Sequence, residues 1–148
     1  WQFSFGAVAS VFHYVLLVLS IFSIFYGILP FSLEIDQAFI AAILTIIGYS
    51  LNDTVVVFDR VREYMNDYKK KEVYELINQS LNSTLSRTIN TSLTTFFVLL
   101  VIFLFGGEVI KGFMFALMVG VIVGTYSSLF VASPIMVDTI KRKALKTK

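Results

Sequence analysis

The chain of 148 residues contains no cysteine, which excludes a disulfide-stapled scaffold and thiol chemistry. Its one histidine, His13, is too few for a histidine-based metal centre. Charged residues make up only 15%, against about 25% in an ordinary soluble domain. The formal net charge of +2 is too small to suggest a nucleic-acid partner. No glycine-rich phosphate loop, nucleophile–base pair or metal-ligand cluster is found, so neither enzymatic activity nor a cofactor is expected. What the chain does have is apolar surface: 57% hydrophobic residues, 16% aromatic, and a mean hydropathy of +0.80. Too few polar residues remain to cover one soluble core of this size, which rules out a soluble globular enzyme. The long apolar runs rule out disorder. The composition is that of a membrane protein.

Crossing about 30 Å of hydrocarbon takes about 20 apolar residues at about 1.5 Å each. Four stretches qualify, at residues 3–26, 37–58, 87–105 and 112–140. The first two are joined by a short turn holding Pro30, the last two by a Gly106-Gly107 hairpin. Between spans two and three lies a longer charged segment, residues 59–86. Within it Val73, Leu76, Ile77, Leu81 and Leu85 recur three and four apart, with Lys70, Lys71, Glu72, Glu75 and Gln79 on other faces. That pattern predicts an amphipathic helix lying on the membrane surface or against the ends of the bundle. The expected fold is therefore all-α, four membrane helices plus one amphipathic helix. Of the twelve lysines and arginines, only Lys111 lies outside residues 59–87 and the basic tail 141–148. By the positive-inside rule that connection and both termini face the cytoplasm, and the short loops face outward. Trp1 enters a span almost at once with neither a basic leader nor a cleavage site, so no signal peptide is expected. The missing initiator methionine suggests a piece of something larger.

Some residues in these spans need a reason to be in hydrocarbon. Asp53 lies about 9 Å inside the boundary marked by Asp59 and Arg60. Thr45, Tyr49, Asn52 and Asp53 share one helix face. An intramembrane acid is by default a functional candidate, for ion or proton work; the plainer reading is a buried structural acid. Arg87 opens span three, with Asn90, Thr91 and Thr94 on its face. It either snorkels to the headgroups or meets Asp53, since the two are level to within about 5 Å and each would relieve the other's desolvation. Gly112, Ala116, Gly120, Gly124, Ser128 and Ala132 place a small residue at every fourth position of span four, which predicts a close helix–helix seam. His13 either relays protons or hydrogen-bonds a neighbouring helix. Pro134 is expected to kink the end of span four.

Residues 48–63, GYSLNDTVVVFDRVRE, resemble the signature of the SecF protein-export subunits. SRTINTSLTT at 86–95, LFGG at 104–107 and GTYSSLFVAS at 124–133 follow in the family's order. The resemblance covers essentially the whole chain and implies the last four of six membrane helices, in SecF or in a fused SecDF polypeptide. It implies a multi-pass protein of the bacterial cytoplasmic membrane, in the resistance-nodulation-division superfamily. Its expected partners are SecD, the SecYEG channel, the SecA-driven preprotein and YajC. The expected function is to use proton flow to promote late steps of export, with Asp53 and Arg87 in the proton path and protons as the coupling ion. Relatives often carry His-Asp where this chain has His13-Tyr14, so no relay role follows for that pair. A lipid or small-molecule exporter of the same superfamily, or a purely structural assembly subunit, are the rival readings.

Overall fold

The computed structural model describes residues 1–68 and 72–146, and these are helical almost throughout. The elements are α1 (Gln2–Phe25), α2 (Gln37–Asp67), α3 (Val73–Phe105), α4 (Glu108–Ser127), a π-turn (Ser128–Ala132) and α5 (Ser133–Lys146). Four of the helical rods, the last running from Glu108 to Arg142, are long and apolar enough to cross a membrane. They form a multi-pass bundle in which α4 packs against α1, α2 and α3.

Local chemistry sets the breaks. α1 stops before Gly27, whose φ of 76° is the left-handed conformation an L side chain avoids. Asp36 caps α2, its side chain accepting a hydrogen bond from the Phe39 amide at 2.8 Å. Gly106 and Gly107 carry the α3–α4 turn in extended backbone.

The amphipathic helix expected between spans two and three is not a separate element. α2 continues to Asp67, and the periodic segment from Val73 onward is the first part of α3. No proline or glycine lies between Gly48 and Gly106, so nothing in the backbone ends a helix where the hydrocarbon ends. The predicted apolar face does pack inward: Leu76 and Ile77 are buried, Val73 and Leu81 rest on the core, and Leu85 is exposed. Lys70 and Lys71 of that prediction lie outside the described residues, as does the end of the basic tail, residues 147–148.

Near Pro134 the distortion precedes the proline. A proline ring collides with the carbonyl four residues back and supplies no amide proton. The π-turn at 128–132 widens the helix just there, and Ser133 Oγ donates to the Ser128 carbonyl at 3.4 Å. The rod continues through it.

Two apolar cores fill the bundle. One, toward the turns, gathers Tyr14, Val18, Phe22, Ala42, Ile46 and Ala116. The other, toward the basic end, gathers Val57, Phe58, Ile77, Leu129, Met136 and Ile140. Between them lies a waist of buried hydroxyls: Ser10, Ser50, Thr54, Thr88, Ser92, Ser127 and Ser128.

The small-residue stripe forms a seam inside this chain. A Cβ added at Gly120 would run into the Ile46 side chain, and one at Gly124 would lie 3.2 Å from Ser50 Cβ. One at Gly112 would meet the Ser32 carbonyl at 2.6 Å. Ala116, Ser128 and Ala132 are fully buried in the same row. Gly6 of α1 answers from across the bundle, where a Cβ would lie 2.8 Å from the Ala132 carbonyl.

Candidate functional site

Asp53 sits on α2 at the level of the hydroxyl waist, between the buried Ser50 and Thr54 on one side and Val57 on the other. Those hydroxyls do not serve it. Thr54 Oγ1 donates to the Ser50 carbonyl at 2.9 Å, and Ser50 Oγ reaches the Gly124 carbonyl at 3.5 Å. Asp53 Oδ2 is buried and has no hydrogen-bond partner, alone in this among the described residues. A buried carboxylate oxygen without a donor is costly when charged and tolerable when protonated.

Arg87, on α3, is the cation whose field acts on the Asp53 carboxyl. The two do not touch: among the described residues no hydrogen bond or ion pair joins them. Arg87 instead lines a cleft of about 270 Å³ with Asp59, Arg60, Glu63, Ser83 and Thr84. Across that cleft Arg60 bonds Glu63 Oε2 at 2.6 Å and Ser83 Oγ at 3.3 Å. Arg87 is exposed and shares that lining with the acids Asp59 and Glu63; Asp53 is not part of it.

The flanking polar residues divide. Tyr49 OH lies 3.3 Å from Thr95 Oγ1, joining α2 to α3. Asn52, Asn90, Thr91 and Thr94 are exposed, as is Thr45. Thr91 and Thr94 bond carbonyls of their own helix, Arg87 and Asn90 at 3.1 and 2.9 Å. A polar face thus lines one side of α2 and α3 and, among the described residues, stays uncovered. His13 hydrogen-bonds a neighbouring helix, its Nδ1 lying 2.9 Å from Ser127 Oγ on α4.

Sequence reasoning missed the hydroxyl waist. The signal was present: Ser50 and Thr54 stand one turn apart, and Ser127-Ser128 precede a proline in an otherwise apolar run.

Four apolar helices around a buried, partnerless carboxyl with a cation near by define a multi-pass membrane protein with an ionisable centre. Residues 1–142 match the family described as protein export membrane protein SecD/SecF, C-terminal, and the chain belongs to that family. It is 60% identical over 148 residues to the protein translocase subunit SecF of Rhodothermus marinus, covering all of this chain and 48% of that protein. The SecF subunit of Cereibacter sphaeroides is 46% identical over 136 residues, 92% of this chain and 40% of its own. Among solved structures, SecDF in its super-membrane-facing form superposes with a TM-score of 0.90 at 40% identity, over 99% of this chain and 19% of that one. SecDF from Thermus thermophilus gives 0.83 at 42% identity, over 95% and 19%. The chain spans about half the length of the curated relatives it matches.

Proposed function

We propose that this chain is the helical membrane part of a Sec translocase accessory subunit, and that Asp53 and Arg87 couple proton movement to protein export. The relatives are named translocase subunits, which supports the export role. The observation that carries the coupling is the buried Asp53 Oδ2 with no donor, set within the field of an arginine that does not bond it. A carboxyl so placed changes proton affinity when either helix moves. Deprotonated, it draws Arg87 out of the Asp59–Glu63 cleft; protonated, it releases the guanidinium to those carboxylates.

The exposed polar face of Asn52, Asn90, Thr91 and Thr94 supports a partner half. Lipid tails offer these groups no hydrogen bonds, so a SecD counterpart, as a separate subunit or in a fused chain, covers them and completes the path. In this reading SecYEG, YajC and the SecA-driven preprotein are met by the complete protein, in the bacterial cytoplasmic membrane, with the basic end inside.

The test is export into vesicles bearing the complete SecDF and SecYEG assembly, driven by an imposed proton gradient. Asp53→Asn, which keeps the shape but not the titration, is expected to remove the gradient-dependent part of export and leave the SecA-driven part. Export at the unmodified rate across a range of gradients would make Asp53 a structural acid and place the coupling elsewhere.

A further inference from the structure

On the side of α3 opposite Arg87 and Asn90, a cleft of about 570 Å³ opens between α3 and α4. Leu85, Ile89, Leu93 and Phe96 form one wall, and Ile122 and Phe130 stand on the other. Of its three hydroxyl-bearing side chains, Ser92, Thr125 and Tyr126, the first two bond each other at 2.6 Å. Toward the basic end it runs into a second cleft of about 470 Å³ through the shared residues Leu129 and Phe130. That second cleft adds polar groups, Tyr74, Asn78, Ser133 and Asp138, to an otherwise apolar lining. At its rim the Lys141 ammonium stands 3.5 Å from the centre of the Tyr74 ring. Arg142 Nε holds Asp138 Oδ2 at 2.8 Å, so the acid in the lining is neutralised and the Lys141 charge is not.

We propose that this continuous groove is a binding site for one glycerophospholipid of the leaflet at the basic end. One acyl chain lies in the apolar cleft, and the phosphate meets Lys141 and Asn78. Three observations choose this occupant over a partner helix. Membrane helices pack through small residues and shared polar groups, and this cleft presents mainly large branched and aromatic side chains, with its Ser92 and Thr125 hydroxyls already bonded to each other. The stretch from Leu85 to Phe96 is about 16 Å long, close to the ~15 Å hydrocarbon depth of one leaflet. The polar end falls at headgroup level: Arg60, the first cation past the apolar run of α2, bonds Ser83, just ahead of Leu85 where the apolar wall begins. A tyrosine and a lysine at the rim are the residue types that anchor at that interface.

The test uses the full-length protein, purified in detergent and titrated with dioleoylphosphatidylglycerol under native mass spectrometry. One tightly retained lipid is expected. Lys141→Ala is expected to weaken it about tenfold, the loss of one charge-assisted hydrogen bond. Ile122→Trp, which fills the cleft from an exposed position, is expected to abolish retention, while dioleoylglycerol, lacking the phosphate, should compete poorly. In vesicles of brominated-chain phosphatidylglycerol, a tryptophan placed by Ile89→Trp is expected to be strongly quenched. An unquenched tryptophan at 89 would mean that protein covers the cleft and overturns the site. Equal retention by the unmodified, Lys141→Ala and Ile122→Trp proteins would reduce it to ordinary annular lipid; Lys141→Ala, at the exposed rim, decides should Ile122→Trp fail to fold.

Discussion

At the scale of single residues, what separates Asp53 from the other polar groups of the bundle is what its neighbours do with their hydrogen bonds. Ser10, Thr54, Thr125 and Ser128 all donate to carbonyls of their own helix, at 2.8, 2.9, 2.8 and 2.9 Å. They cost the bundle little and offer the carboxylate nothing. Arg87 shares a cleft with the carboxylates of Asp59 and Glu63. A lysine ammonium is a point charge without the fork of a guanidinium, so Arg87→Lys is expected to cut gradient-driven export while the protein still assembles with its partner half. Full export with lysine would mean that only the charge matters. His13 has a smaller part. Its bond to Ser127 joins α1 to α4, and such bonds in membranes average about 0.6 kcal/mol. His13→Phe is therefore expected to lower thermal stability in detergent slightly and leave export intact; a loss of export at unchanged stability would give His13 a role beyond tethering.

At the scale of elements, helix type and apolar faces were legible in the sequence, while helix ends were not. Hydropathy marks where hydrocarbon stops, at about Phe58 and Arg87, whereas α2 runs on to Asp67 and α3 starts at Val73, with no glycine or proline between Gly48 and Gly106 to break either helix nearer the boundary. That is why the predicted surface helix is the first part of α3. The small-residue row was legible because membrane seams need close backbones, but its partner was not: only the packing assigns it to Ile46 and Ser50 of α2. Gly120→Leu and Gly124→Leu are accordingly expected to destabilise the bundle by the roughly 1–3 kcal/mol of an overpacked core, or more. Ile122→Leu, on the exposed side of the same helix, should change little. Equal thermal midpoints for all three in detergent would remove the seam. The site was legible by halves. Spacing brought Asp53 and Arg87 to one level, yet it carries no information on whether they bond. Asp59 and Glu63, about two and three turns past Asp53, line the cleft that holds Arg87.

At the scale of the whole molecule, the asymmetry of lysine and arginine predicts an orientation, with the basic end inside. A cysteine placed at Gly107 is expected to react with an impermeant thiol reagent from the outer side, and one at Asn78 from the inner side. A chain without native cysteine makes this readable in this part of the protein; reaction of position 107 from the inner side alone would invert the topology. Energetics then limits the machine. One charge crossing the membrane potential supplies about 2.3 kcal/mol per 100 mV, whereas reversing a two-state population completely takes about 5.5 kcal/mol. More than one proton per cycle, or a graded movement, is the expected stoichiometry. The four helices are also not fastened alike. α1 is tied to α4 by His13 and Ser127 at 2.9 Å, and α3 to α4 by Ser92 and Thr125 at 2.6 Å. α2 meets α4 along glycines, and the one side-chain bond between them among the described residues, Ser50 to the Gly124 carbonyl, is stretched to 3.5 Å, where a hydrogen bond has little strength left. The bonds that hold α2 to its other neighbours are long as well: Tyr49 to Thr95 and Arg60 to Ser83 on α3, both at 3.3 Å, and Tyr14 of α1 to the Ile43 carbonyl at 3.4 Å. The helix that carries Asp53 is thus held by slack ties where α1 and α3 are drawn tight to α4, so a change of charge at that carboxyl acts on the part of the molecule whose cross-links yield first.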